Sequence, residues 1–318
     1  MDISPYAVGA LLYAPANQQN LARRVISGNI PSPYSLALCL EDSISDAAVP
    51  QAEEQVLYTL EDIAAAKADF YHPLVFIRVR DPKQIESLYT RLHAGRAVLT
   101  GFIAPKCTVE NAPDYLSAVA RVNRRQDKPV YLMPILESPD LAEPDQRPAR
   151  LRQLKTLFDA QRDQILNVRV GGNDFCHLFG LRRRVDESIH EIGCVAHILT
   201  DILACFSRDY VVSGPVWEYF SDARDDWRRG MLRETKRDFL NGFIGKTVIH
   251  PNQIPVVNEV LRVRREDYDD ARQILNMASN TRVLVAKSAA GGRMNEYKTH
   301  TRWAHKICTL AEIYGVQP

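Results

Sequence analysis

The chain has 318 residues, of which 46% are hydrophobic and 25% charged, with 40 Lys and Arg against 39 Asp and Glu. This is the composition of an ordinary globular protein, which excludes a disordered, collagenous or coiled-coil chain. The net charge of +1 gives no electrostatic reason to expect binding to nucleic acid or to a membrane surface. No stretch approaches the roughly twenty apolar residues of a membrane-spanning helix, and residues 1–6 contain no Lys or Arg that would start a secretory signal. We therefore expect a cytoplasmic protein that binds neither nucleic acid nor membranes.

Eight short apolar runs predict β-strands at 7–14, 36–40, 74–80, 99–105, 130–136, 165–170, 210–213 and 243–249. Their continuous apolarity, rather than strict alternation, is typical of strands buried on both faces. Amphipathic segments between them predict helices at roughly 17–27, 50–68, 82–93, 110–124, 144–163, 188–207, 218–242 and 252–263. Eight strand–helix units in about 250 residues indicate an α/β fold, a closed (β/α)8 TIM barrel. An open doubly wound sheet is the alternative, but the turn after the first run has no GxGxxG.

The composition changes after residue 263, where a densely charged segment begins. We predict two domains: a TIM-barrel catalytic domain at 1–263 and a C-terminal helical extension at 264–318. Within the extension we expect a helix to residue 280, a short strand over 281–286, a turn at 289–292 and a last helix over 303–314. A segment of about 55 residues is too small for an independent core, so it should pack on its own barrel or on a neighbouring subunit.

Ionisable residues end several of the predicted strands, and in a TIM barrel the C-terminal strand ends carry the active site. In strand order they are Glu41, Asp42, Arg78, Lys106, Glu137 and Asp174. Carboxylates crowded on one rim repel each other unless a cation shares the site. Mg²⁺ typically takes one or two carboxylates together with water and substrate oxygens. The sequence therefore predicts a Mg²⁺ site at this rim.

Glu137 and Asp174 are the best pair of metal ligands, because they end adjacent strands. The glycines before Asp174 let backbone and ligand approach closely, so Gly172 and Asn173 are predicted to contact the substrate. Arg78 can hold a carboxylate or carbonyl oxygen in the fork of its guanidinium group. A metal and an arginine that bind the same oxygen stabilise an enolate.

Seven segments carry a resemblance to a known family. They are LLYAPANQQNL, LALCLEDSI, FIRVRDP, GFIAPK, MPILESP, VRVGGNDFCHLFG and NGFIGKTVIHPNQIPVVNEV. In this order they resemble the citrate lyase beta-subunit branch of the aldolase and acyl-CoA lyase superfamily of TIM barrels. The tail, with GGRMNEYKTHTRWAHKI, resembles a subgroup described as barrel-fold C–C bond lyases.

The resemblance implies roles for individual residues. It assigns Mg²⁺ binding to Glu137 and Asp174, and substrate binding to Arg78. It makes Glu41 and Asp42 the acidic pair that supports the waters of the metal, and Lys106 a substrate-contacting lysine of the rim. It places Glu296 in a tail segment that reaches the site of a neighbouring subunit and acts there as the acid. It further implies a homo-oligomer, with a trimer favoured.

Three segments depart from the family pattern: Pro15-Ala16 after the first strand, PQAEEQV with Glu53 and Glu54, and the loop from Ser213 to Trp217. We expect these positions to face the substrate, so recognition of a CoA thioester is altered while the metal half is intact. The leading prediction is a Mg²⁺-dependent carbon–carbon lyase that cleaves a β-hydroxy acid or its thioester. A thioesterase or condensing enzyme with the same enolate site, and a non-catalytic barrel subunit of a larger complex, are the alternatives.

Overall fold

The computed structural model describes residues 3–125, 128–279 and 284–318. It divides into two compact units, Met1–Val257 and Asn258–Pro318. This division lies six residues before the predicted boundary, inside a helix, and the catalytic and packing roles assigned to the two domains stay predictions. Within the described ranges, no helix is long and apolar enough to cross a membrane.

Eight parallel strands form the first unit, and all eight were predicted. They are β1 (Ala10–Pro15), β2 (Ser35–Cys39), β3 (Leu74–Arg78), β4 (Leu99–Ala104), β5 (Tyr131–Leu136), β6 (Val168–Val170), β7 (Val212–Ser213) and β8 (Lys246–Val248). Neighbours in sequence are neighbours in the sheet, and β8 returns to pair with β1. A bridge between Gly214 and Lys246 joins β7 to β8. The predicted (β/α)8 TIM barrel is confirmed.

The barrel interior is a packed core rather than a channel. Alternate side chains of successive strands fill it, including Leu11, Phe76, Ile103 and Met133, all fully buried. Gly101 of β4 has no room for a side chain, because a Cβ atom there would lie 2.1 Å from the carbonyl oxygen of Tyr131. Burial of both strand faces is the reason that the strands read as continuous apolar runs.

Helices connect the strands and cover the barrel. They are α1 (Leu21–Ile26), α2 (Val49–Ala65), α3 (Pro82–Arg91), α4 (Ala112–Asn123), α5 (Arg147–Asp159), α6 (Gly172–Leu178), α7 (Gly193–Phe206), α8 (Asp226–Asn241) and α9 (Ile254–Leu261). In α2, Ala52, Val56, Leu60 and Ile63 are buried at helical spacing. The short helix α6 was not predicted, since a Gly-Gly-Asn sequence is more typical of a turn.

The second unit contains two long helices and a small hairpin. The helices are α10 (Arg265–Asn276) and α11 (Tyr297–Tyr314), and the hairpin pairs β9 (Val285–Lys287) with β10 (Met294–Glu296). The C-terminal helical extension is therefore present, with the predicted turn at 289–292 between the hairpin strands. The predicted strand over 281–286 overlaps β9 only at its end, and residues 281–283 lie outside the described residues.

Candidate active site

A cavity of about 380 Å³ opens at the C-terminal ends of the barrel strands. Six of the predicted site residues line it: Asp42, Arg78, Glu137, Gly172, Asn173 and Asp174. The carboxyl ends of parallel strands meet at one end of a barrel, so residues far apart in sequence converge here. We refer to this space as the rim cavity.

Glu137 and Asp174 point at the same place. A Cβ atom on Gly171 would lie 2.2 Å from Oε2 of Glu137 and 3.0 Å from Oδ2 of Asp174. The two carboxylate oxygens are therefore separated by no more than the sum of these distances, and both face the same small space. Only glycine fits at position 171, because a Cβ atom there would also lie 2.3 Å from Cβ of Glu137.

Arg78 holds the acidic residues of the rim together. Its Nη2 atom lies 2.8 Å from Glu41 Oε2, 3.1 Å from Asp42 Oδ2 and 3.3 Å from Glu137 Oε1. Its Nε atom is buried and has no hydrogen-bond partner in the part of the chain that the structure describes. Because the arginine lines the rim cavity, this nitrogen is a donor that a bound oxygen can satisfy.

Lys106 contributes to the site with its backbone as well as its side chain. Its amide donates a hydrogen bond to Glu137 Oε1 over 2.9 Å, and its Nζ lies 2.5 Å from Glu41 Oε1 and 3.1 Å from Asp42 Oδ1. The residue has a φ of +45°, in the left-handed region that disfavours a side chain. Strain of this kind persists where surrounding contacts compensate for it, often at functional sites.

The electrostatics of Glu137 fit a cation site. Burial raises the pKa of Glu137 to about 7, and the Asp174 carboxylate adds to this rise, while the charge of Arg78 opposes it. A divalent cation beside the two carboxylates would remove the repulsion between them. No group of three or more His, Cys, Asp and Glu side chains capable of holding a metal occurs among the described residues. Two carboxylates would leave the other coordination positions of a Mg²⁺ ion to water and substrate oxygens.

The predicted residues do not all occupy the rim cavity. In the described structure Glu41 and Lys106 do not line it. Glu41 instead forms an ion pair with Arg78, and Lys106 with Asp42. Glu53 and Glu54 were expected to face the substrate, but both pair with Arg91 of α3, which corrects that expectation. Their helix α2 lies on the outside of the barrel, so a carboxylate there stabilises helix packing.

One basic residue of the rim cavity was not predicted from the sequence. Arg169 of β6 is 1% exposed and lines the cavity together with Tyr13 and Thr247. The available signal was a single arginine inside the otherwise buried run ILNVRV. Charged side chains are almost never fully buried without a reason.

Glu296 lies in the second unit, where it ends β10 immediately before α11. Its backbone N–H donates to Nδ1 of His300 over 3.0 Å. Its side chain is half-buried within this unit. The role of Glu296 as an acid at the site of a neighbouring subunit stays a prediction.

Comparison with solved structures finds the same fold. A citrate lyase from Burkholderia xenovorans has a TM-score of 0.73 and 16% identity, over 100% of this chain and 97% of that chain. The protein CitE from Mycobacterium tuberculosis, in complex with magnesium, acetoacetate and coenzyme A, has a TM-score of 0.61 and 19% identity, over 97% and 99%. The citrate lyase beta subunit of the same organism, complexed with oxaloacetate and magnesium, has a TM-score of 0.53 and 19% identity, over 81% and 99%.

At these identities the solved structures show the fold alone, and no curated protein sequence matches the chain. A family described as C–C bond lyases of the TIM-barrel fold matches residues 2–316. The resemblance seen in the sequence is therefore confirmed over nearly the whole length. The chain belongs to the C–C bond lyase family of the TIM-barrel fold.

Proposed function

We propose that this protein is a Mg²⁺-dependent carbon–carbon lyase that cleaves a β-hydroxy acid or its acyl thioester. One observation carries the proposal: the carboxylates of Glu137 and Asp174 converge on the space that the absent side chain of Gly171 leaves open. Solved structures of the same fold contain magnesium with acetoacetate or oxaloacetate, which supports the choice of ion and of ligand class.

The proposed chemistry divides between the ion and the protein. Mg²⁺ held by Glu137 and Asp174 would supply positive charge where an enolate develops. Arg78 lines the cavity with an unpartnered Nε–H, which can donate to the same substrate oxygen. Glu41 and Asp42 hold Arg78 in place, so its position is set before the substrate binds.

Cleavage of a β-hydroxy acid requires removal of the hydroxyl proton and protonation of the product enolate. We propose that the protein is a homotrimer. The carboxyl group of Glu296 from a neighbouring subunit would transfer the proton between these two positions. Replacing Glu296 by Gln should then lower turnover and leave Mg²⁺ affinity unchanged. Weaker Mg²⁺ binding in this variant would contradict that division of roles.

Calorimetric titration with Mg²⁺ tests the ligand pair. Glu137→Gln and Asp174→Asn should each weaken Mg²⁺ binding by about a hundredfold or more, because each removes one of two anionic ligands. Glu86→Gln is the matched control, since Glu86 lies on α3 and pairs with Arg121 away from the cavity. Unchanged Mg²⁺ affinity in both site variants would contradict the proposal.

Enolate formation can be tested before the substrate is known. Pyruvate in deuterated buffer should exchange its methyl protons faster when the protein and Mg²⁺ are both present, and Arg78→Met should abolish the acceleration. Cleavage assays on malyl, citramalyl and citryl thioesters and on the free acids then separate a lyase from a thioesterase or condensing enzyme. Exchange at the buffer rate would favour the non-catalytic barrel subunit instead.

A further inference from the structure

The rim cavity contains a second arginine whose charge the protein does not neutralise. Arg169 is 1% exposed, and within residues 3–125, 128–279 and 284–318 no carboxylate forms an ion pair with it. The acceptors of its hydrogen bonds are neutral: Nη2 donates to Thr247 Oγ1 over 2.7 Å and Nη1 to Asn167 Oδ1 over 3.4 Å, and the guanidinium group also bonds to the Tyr13 hydroxyl. Its Nε atom is buried, and no described residue forms a hydrogen bond with it.

This arrangement is unfavourable unless something else supplies a negative charge. A guanidinium group stays protonated in proteins, and an isolated buried cation is far less stable than a paired one. Burial lowers the pKa of Arg169, and among titratable groups only Tyr13 opposes this effect. Burial also raises the pKa of Tyr13, so its hydroxyl is neutral and provides no counter-charge.

The other arginine of the cavity is in the opposite situation. Arg78 has three carboxylates within 3.3 Å of one nitrogen. A substrate anion that approached Arg78 would meet these carboxylates as well, whereas no carboxylate of the described residues pairs with Arg169. The two arginines therefore differ in what they can recognise: Arg78 suits an oxygen that gains charge during reaction, and Arg169 suits a full anion.

From this geometry we propose that Arg169 is a substrate-binding residue that receives a carboxylate of the substrate remote from the metal. Arg169, Tyr13 and Thr247 line the same cavity as Glu137 and Asp174. A small acid with oxygen ligands for Mg²⁺ at one end and a carboxylate at the other would satisfy both the arginine and the two acidic residues. This inference rests on the proposed function, because Mg²⁺ holds the first end.

The proposed substrates are therefore acids whose part inside the cavity is anionic at both ends, with one end on Mg²⁺ and a carboxylate on Arg169. Arginine binds a carboxylate with two parallel hydrogen bonds, and Nε is available for one of them. A methyl group in place of the remote carboxylate would leave the arginine buried and unpaired. Such a site rejects the analogue more strongly than an apolar pocket rejects an extra methylene.

Ligand pairs matched in length test the inference. Calorimetric titrations would compare oxaloacetate with 2-oxobutanoate, and 2-oxoglutarate with 2-oxopentanoate, with and without Mg²⁺. Within each pair the 2-oxo acid group is the same, and only a terminal carboxylate or methyl group differs. In at least one pair the dicarboxylate should bind at least about tenfold more tightly, the effect of one hydrogen-bonded charge pair.

Arg169→Met should reduce this discrimination to less than about threefold, and Arg169→Lys should retain part of it, while Mg²⁺ affinity is unchanged in both. The wild-type comparison does not depend on whether a variant folds. Mg²⁺-dependent binding with equal affinity within both pairs would overturn the role of Arg169 and leave the metal site standing. Binding that does not require Mg²⁺ would instead contradict the proposed function.

Discussion

Two strands of the barrel each contain one fully buried basic residue, and the two residues differ in the counter-ions around them. Lys246 of β8 lies 3.0 Å from Glu234 Oε1 and 2.6 Å from Asp238 Oδ2 of α8. His190 contacts the other oxygen of Asp238 at 2.7 Å. We call these four residues the β8–α8 cluster. Arg169 of β6, by contrast, bonds only to neutral groups among the described residues.

A buried charge that stabilises the fold differs from one that binds a ligand in where its counter-ion comes from. In the β8–α8 cluster the counter-ions belong to the chain, and the charge of Lys246 lowers the pKa of Asp238 although burial raises it. The cluster joins α8 to β8 and to the loop that carries His190, so it stabilises the barrel wall. In the rim cavity the balancing groups would come from outside: a cation for Glu137 and an anion for Arg169.

The largest expected effect is on the cluster. Lys246→Met removes the cation nearest to two buried carboxylates and leaves Glu234 with Arg183 at 3.7 Å and Asp238 with His190. It should lower the free energy of unfolding by about 3–5 kcal/mol. Urea denaturation followed by circular dichroism measures this loss. Lys155→Met is the control, because Lys155 pairs with Asp159 and Asp209 on the surface and should contribute about 1 kcal/mol or less. Similar losses in the two variants would show that the buried cluster stabilises the barrel no more than a surface ion pair does.

The next effect concerns pH and the metal-free rim cavity. The pKa of Glu137 is raised to about 7 in the folded protein, from an ordinary value of 4.5. Between these values the folded protein binds a proton that the unfolded chain has released, so stability rises as the pH falls from about 7 to 4.5. The gain is up to about 3 kcal/mol, since each unit of pKa corresponds to about 1.4 kcal/mol.

Denaturation in EDTA across this pH range measures the gain as a difference between wild type and Glu137→Gln. The variant cannot take up this proton, so other carboxylates cancel in the comparison. Parallel pH dependence in the two proteins would show that Glu137 is already ionised at pH 5. The electrostatic case for a cation beside it would then be much weaker.

The smallest expected effect is on Arg169 itself. Without ligand, Arg169→Met should leave the free energy of unfolding unchanged or raise it by about 1 kcal/mol, because a buried unpaired charge is removed. Arg147→Met is the matched control: Arg147 is also buried, pairs with Asp201 at 2.7 Å and donates to the Leu141 carbonyl. The Arg147→Met variant should lose about 2–3 kcal/mol of its free energy of unfolding. An equally large loss for Arg169→Met would show that Arg169 stabilises the fold and is not kept for a ligand.

Much of the fold could be predicted because burial on both faces leaves an unmistakable pattern. All eight strands lie within or overlap the apolar runs, although β8 is only Lys246–Val248 where 243–249 was predicted. The residues that precede a strand can be buried as well, so the length of an apolar run overestimates the length of the strand. The helix α6 was missed because Gly171 and Gly172 resemble a turn. In the structure Gly171 makes room for the carboxylates of Glu137 and Asp174, and Gly172 for the side chains of Ile189 and Pro215.

The site divides along the same line. By itself, the sequence determined which residues end the strands, and parallel strands bring those ends to one rim, so Arg78, Glu137 and Asp174 could be placed together in advance. Tertiary structure alone decided the fate of Arg169 and Lys246, each a single basic residue in a buried strand. The pleat turns one towards the cavity and the other towards α8. Which direction meets a counter-ion depends on barrel closure and helix packing, and these involve residues distant in the chain.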